Sequence, residues 1–222
     1  MLIFIYKIVL KRMINKVKNA IIVRMKLLYN CLGGGNNVQG ISLLRRLSNF
    51  TILGIGNMIE VKSKIPKDVN IVIYGNNHKL VVEENVTFKR GIIWFEDHNC
   101  EIRIGSGTTI ESANLAVAEG GTQLIIGKDC MISSNVHIST TDSHSIIDID
   151  TGIRTNPSQN VVIGNHVWLG NSTSINKGVV IGNNAVVAGH SVVTKPVAPN
   201  SIVAGIPART VKNNITWDRN RI

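Results

Sequence analysis

Acidic residues are missing from the first quarter of this chain. Residues 1–59 carry nine Lys/Arg and no Asp or Glu, and the first acid is Glu60. The remaining 163 residues (222 − 59) hold 15 basic residues (24 − 9) against 14 acidic ones, so +9 of the formal +10 lies in the N-terminal arm. The overall basicity describes that arm and not the main body. Cysteine is scarce: Cys31, Cys100 and Cys130 are far apart and form no Cys-x-x-Cys pair. That excludes a disulfide scaffold and a thiolate zinc cluster, and fits reduced, packed thiols in a cytoplasmic protein. Long apolar runs are missing too. Met1 to Leu10 is apolar apart from Lys7, but a spanning helix needs about 20 such residues. No basic stretch precedes this run and no small-residue cleavage site follows, so it is a poor secretory signal. Residues 1–32 read as one or two amphipathic helices, ended by Gly33-Gly34-Gly35-Asn36-Asn37. There is no Walker-type loop and no Gly-x-Gly-x-x-Gly after a strand, and the arm lacks base-stacking aromatics interleaved on a rigid sheet. Nucleic acid is therefore not an expected partner.

What the chain has in abundance is Ile and Val, 57 together, and 25 Asn. β-Branched residues suit pleated surfaces and Asn tolerates left-handed backbone angles, so the balance predicts many short strands joined by tight turns. The order of these residues is more informative. From Ile163 an aliphatic residue recurs every six positions, at Leu169, Ile175, Ile181, Val187 and Val193. A small or polar residue follows each. Earlier runs share the step: Ile126, Ile132, Ile138; Ile104, Ile110; and Val82, Phe88. Six is neither the helical period nor simple alternation. It predicts a three-sided coil of short strands in which 18 residues make one turn and the aliphatic side chains stack inside. Val82, Ile104 and Ile126 are spaced by 22, which reads as one turn plus four residues of protruding loop.

This pattern, over about residues 75–212, resembles the hexapeptide-repeat, left-handed parallel β-helix acyltransferases. From Ile163 to Arg209 it is similar to the maltose, galactoside and Nod-factor acetyltransferases and to the capsular polysialic acid O-acetyltransferases. The resemblance implies an all-β fold, a left-handed parallel β-helix with a short helical N-terminal arm. The corresponding boundaries are 1–50 for the arm, 51–205 for the coil with an acceptor loop near 139–160, and 206–222 for a C-terminal tail.

The repeat breaks between Ile138 and Ile163, and chemistry is expected where a rigid coil is interrupted. The break contains Asp142-Ser143-His144-Ser145-Ile146, then Asp148, Asp150 and Arg154. The resemblance places the general base at His144, and an imidazole, titrating ordinarily near about 6.5, suits that task. It places Trp168, 24 residues later, in the acceptor and donor pocket. Asn114 and Asp142 are the implied acceptor contacts. Asn171, Gly189, Thr194, Lys195, Arg209 and Lys212 match the segment that holds acetyl-CoA, the implied acyl donor; cations there suit its phosphates. His190 departs from the small residue usual at its position. His137, His166 and His190 do not stack in the repeat, so no metal is expected.

The implied activity is an acetyl-CoA-dependent O-acetyltransferase acting on a sugar hydroxyl of a bacterial capsular or other cell-surface polysaccharide, a sialic acid polymer included, or of its precursor. Two alternatives stay open: an N-acetyltransferase on an amino-sugar nucleotide precursor, and a non-catalytic β-helix scaffold. The family implies a homotrimer with sites between subunits. The basic arm suggests an anionic acceptor or a peripheral contact with the inner membrane; a solvated helix that keeps the protein soluble, or an apolar face packed on the coil or a neighbouring subunit, stays open beside it.

Overall fold

A computed structural model describes residues 33–40, 50–66 and 68–222. The helical arm expected over residues 1–50 falls largely on 1–32 and 41–49, outside the described residues. The rest is a solenoid of about seven turns with three faces, each a seven-stranded sheet. In chain order the first face holds Asn37–Gln39, Met58–Val61, Lys79–Val82, Glu101–Ile104, Gln123–Ile126, Val161–Ile163 and Val180–Ile181. The second holds Thr87–Phe88, Thr109–Ile110, Met131–Ile132, Trp168–Leu169, Val186–Val187, Ser201–Gly205 and Ala208–Asn213. The third holds Phe50–Leu53, Val69–Tyr74, Gly91–Phe95, Ala113–Val117, Val136–Ser139, Ser174–Ile175 and Val192–Val193. The strands pair in parallel except the last two of the second face, which form a hairpin. The architecture is that of the parallel β-helix expected from the six-residue step. Its first strand, Asn37–Gln39, pairs with Met58–Val61 and so lies within the segment assigned to the arm.

The stacked repeat residues are the core. On the first face Val82, Ile104, Ile126, Ile163 and Ile181 are in register. Ile110, Ile132, Leu169 and Val187 stack on the second face. Ile93, Leu115, Ile138, Ile175 and Val193 do so on the third. All are fully buried, each contributing roughly 1.5–3 kcal/mol relative to exposure.

The 22-residue turns differ from the expectation of a protruding loop. Their third-face strands are longer and turn a second residue inward, Phe95 and Val117. The corner beyond them widens and is filled by a buried polar column: Asn36, Asn57, His78, Cys100, Thr122 and Thr140. Each rung bonds the next, with His78 N–H to Asn57 Oδ1 at 2.9 Å, Cys100 N–H to His78 Nδ1 at 3.2 Å, and the Thr122 and Thr140 hydroxyls 3.1 Å apart. The extra residues broaden the core because an unpaired polar group could not be left there. Burial raises the Cys100 and Cys130 thiols above their ordinary pKa, in keeping with packed, reduced cysteines.

The wealth of Asn also finds its cause at the corners. Asn85, Gly107, Asp129, His166, Asn184 and Asn200 occupy successive turns of the corner between the first and second faces, and each has a positive φ. That left-handed conformation is tolerated by Gly and Asn far better than by bulky residues.

Candidate active site

Across the break the register jumps by 37 residues, from Ile126 to Ile163, where regular turns take 18 (Ile163 to Ile181). The surplus is a folded loop at the corner between the third and first faces. Gln159 N–H bonds Thr140 O at 2.9 Å and closes its base. An antiparallel bridge between Ile147 and Arg154 makes its tip a small hairpin. Asn156, nearly buried, holds the interior: Oδ1 accepts from Ile146 N–H at 2.7 Å, and Nδ2 donates to His144 O at 2.8 Å and Asp142 Oδ2 at 2.9 Å. The Arg154 guanidinium clamps Glu119 of the preceding turn through two bonds, 2.6 and 2.8 Å. The Thr141 hydroxyl donates to the same carboxylate. Arg154, with help from Thr141 and Ser158 and against some desolvation, pulls the Glu119 carboxyl down to about 2.

His144 sits on this frame. Its N–H bonds Asp142 O at 2.8 Å, its carbonyl is held by Asn156, and its side chain is exposed to solvent. The backbone is thus fixed while the side chain is open to solvent. Asp142 is occupied: its carboxylate accepts from Lys177 Nζ and from Asn156, which together lower its pKa. Lys177 also donates to Asn156 O at 2.8 Å. Beside the loop base, on the third face, lies a cleft of about 350 Å³ lined by Trp94, His137, Ser139, Asp142, Ser143 and Lys177. Asn114 is on the same face, exposed and paired in register with His137. His137 is open to solvent at its edge, yet the protein mass around it lowers its pKa. Trp94 packs edge-on against Tyr74 at 5.2 Å.

Trp168 lies elsewhere. It is the outward residue of Trp168–Leu169 on the second face, with Leu169 buried. In a three-sided coil the corner that carries His144 is opposite the second face. One chain brings His144, Asp142 and Asn114 to one side and leaves Trp168 on the other. The residues that the resemblance matched to the donor segment also divide. Asn171 and Gly189 stack at the corner between the second and third faces, where Asn171 O accepts from His190 N–H at 2.8 Å. The final hairpin carries Arg209 toward that corner, paired with Ala204, and Lys212 further back, paired with Ile202. Thr194 and Lys195 lie past the end of Val192–Val193, at the next corner. His137, His166 and His190 occupy three different positions around the coil, and no cluster able to hold a metal occurs among the described residues.

Residues 160–195 match the family described as bacterial transferase hexapeptide (six repeats). The polysialic acid O-acetyltransferase of Neisseria meningitidis is 38% identical over 191 residues, covering 84% of this chain and 87% of that protein. The chain belongs to the hexapeptide-repeat acetyltransferases. Two solved structures agree at the level of the fold. The polysialic acid O-acetyltransferase OatWY superposes with a TM-score of 0.63 over 78% of this chain and 92% of its own. The polySia-specific acetyltransferase NeuO superposes with 0.61 over 78% and 90%. Both are 30% identical to this chain.

Several residues that hold this loop or line its cleft were not singled out by sequence reasoning: Glu119, Asn156, Lys177 and Trp94. Glu119 has φ 64°, a conformation that glutamate seldom adopts, so nothing in the local pattern marks its corner. The Glu119 latch has a pH signature. Its folded pKa of about 2 lies below the ordinary 4.5, so its stabilising contribution is complete above about 4.5 and is lost as the pH falls toward 2. The protection factors of the Ile146 and Thr155 amides, their exchange rates relative to the intrinsic rate at each pH, should fall across that window. In Glu119→Gln they should be low already at neutral pH and nearly flat in acid.

Proposed function

We propose that this acetyltransferase moves the acetyl group of acetyl-CoA to a hydroxyl of a sialic acid polymer, with His144 as general base. The observation that carries this reading is an exposed imidazole on a latched loop, in a chain similar over most of its length to an enzyme of that name. His144 takes the hydroxyl proton as the oxygen attacks the thioester carbonyl, and the protonated ring returns it to the leaving thiolate. Trp168 on the opposite side supports a site completed by a second copy of the chain, within a homotrimer. The loop tip supports it too: Ile146, Ile147, Ile149 and Ile153 are all solvent-exposed on one chain, Ile149 at 97%, which suits a surface covered on assembly. The test is mass spectrometry of sialic acid oligomers and polymers incubated with the protein and acetyl-CoA, beside a neutral polysaccharide. Acetyl gain on the sialylated acceptors alone is expected; acetylation of the neutral glycan alone would refute the acceptor class.

The exposed Lys195 and Arg209 are assigned to the phosphates of the donor. Replacing either by Ala should weaken acetyl-CoA binding roughly 3- to 10-fold at low salt and less at high salt, as expected of solvent-exposed charge contacts. Calorimetry at two ionic strengths measures this. The basic arm is assigned to an anionic surface, either the acceptor or the inner membrane. Among the described residues no helix is long and apolar enough to cross a membrane. Deleting residues 1–28 should leave turnover of a short acceptor intact and abolish a salt-sensitive affinity for anionic vesicles or long polymer.

A further inference from the structure

The C-terminal tail makes contacts that the coil itself does not need. After the final hairpin the chain turns at Asn214 and runs back along the corner between the first and second faces. Ile215 N–H bonds Asn200 O at 3.0 Å. Two turns of sequence earlier the corner carries His166, and there Trp217 is nearly buried, its ring stacked on the imidazole at 4.0 Å and 7°. The Trp217 indole N–H donates to His166 O at 2.7 Å, and His166 Nε2 meets Trp217 O at 2.9 Å. On its other side His166 Nδ1 meets Asp129 Oδ2 at 2.7 Å. Arg219 then clamps Asp129 Oδ1 at 3.0 and 3.1 Å, reaches Cys130 O at 3.0 Å and Thr109 Oγ1 at 2.9 Å, and lies 5.6 Å over the Trp217 ring. Burial disfavours the Asp129 carboxylate, but His166 and Arg219 hold its pKa below the ordinary value. The tail therefore spans five successive turns of that corner and bonds four of them: those of Asn200, His166, Asp129 and Thr109.

The strap ends beside Trp168. The two indoles are 6.1 Å apart and inclined by 50°, within the range of an edge-inclined aromatic pair. Trp168 has little else to fix it. Its N–H reaches Ser133 Oγ at 3.5 Å, the outer limit of a hydrogen bond, and its side chain is over a third exposed. A large outward ring on a narrow face would sample several rotamers without a neighbour to stop it. Trp217 is that neighbour, and it is itself held from both sides of His166.

We propose that Trp217 is a positioning residue for Trp168: the C-terminal strap sets the indole that this chain contributes to acyl transfer. The proposal rests on the reading of Trp168 as part of the active site. The strap is a device of the tail, on a different corner of the coil from the one that carries His144.

The test is 19F NMR of the full chain labelled with fluorotryptophan, which gives one signal for each of its 3 tryptophans, read together with turnover. In Trp217→Ala the Trp168 signal should shift and broaden while the Trp94 signal, on another face, stays in place. Turnover should fall roughly 10- to 100-fold, the scale of a misplaced reacting group. Trp217→Phe, which retains a stacking ring, should recover most of both. A Trp168 signal that does not move, or one that moves while kcat stays within about twofold, overturns the proposal. If Trp217→Ala also displaces Trp94, the same two readouts in Arg219→Ala decide, since that change unties the strap without opening space against the coil. The underlying reading fails separately: His144→Ala with wild-type turnover would remove the site assignment, and the Trp168 signal would then decide alone whether the strap holds that ring.

Discussion

His144→Ala should lower kcat by roughly 10²–10⁴-fold, with acetyl-CoA affinity nearly unchanged. The split follows from where the residue stands. Its side chain is exposed and has no hydrogen-bond partner among the described residues, so its removal breaks no hydrogen bond there. The frame beneath it is made by other groups: Asn156, Asp142 and Lys177 bond one another and the backbone. The variant should therefore fold, bind donor and lose only proton transfer. Steady-state kinetics with calorimetry on the same preparation measures both halves. Wild-type turnover would remove His144 as the base. A parallel loss of donor affinity would mean that the loop holds the donor and not the acceptor proton.

The coil was legible in the sequence because its determinant is local and repeated. One inward aliphatic residue per six, from Ile163 to Val193, is also the register of the stacked strands. The break that carries His144 was legible for a related reason: a strict repeat makes its own interruption conspicuous. What could not be read was the side-chain closure of the loop. Arg154 meets Glu119 across 35 residues, and Lys177 meets Asp142 across the same separation. Such pairs depend on the 37-residue register, and no local motif encodes them. The 22-residue turns misled for a different reason. Spacing counts the extra residues but does not say whether they leave the coil or widen it. The inward Phe95 and Val117 and the buried His78–Cys100–Thr122 column decide for widening. The strap escaped notice because Trp217 lies beyond the repeat, where periodicity has nothing to say.

Co-expressing His144→Ala with Trp168→Ala should restore activity that neither variant has by itself. His144 leaves the coil at the corner between the third and first faces, and Trp168 projects from the second face opposite. A rigid prism cannot bring them together within one chain, because its interior is filled by the aliphatic columns. If the site uses both residues, each must come from a different subunit. In a closed ring of three identical chains every interface is the same, so each site takes His144 from one chain and Trp168 from the next. With the two variants mixed in equal amounts, half of the chains carry an intact His144 and half an intact Trp168. In a trimer that contains both variants, one site of the three then receives both. Turnover near a third of wild type is the expected result for such mixed trimers, with each variant separately at least 10-fold lower than that. Differently tagged chains, purified through both tags, provide the mixed assembly, and its mass establishes the number of subunits. Activity no higher than the sum of the two variants would place the complete site within one chain. It would then follow that Trp168 acts only in packing and that the division of the site across the coil has no catalytic meaning.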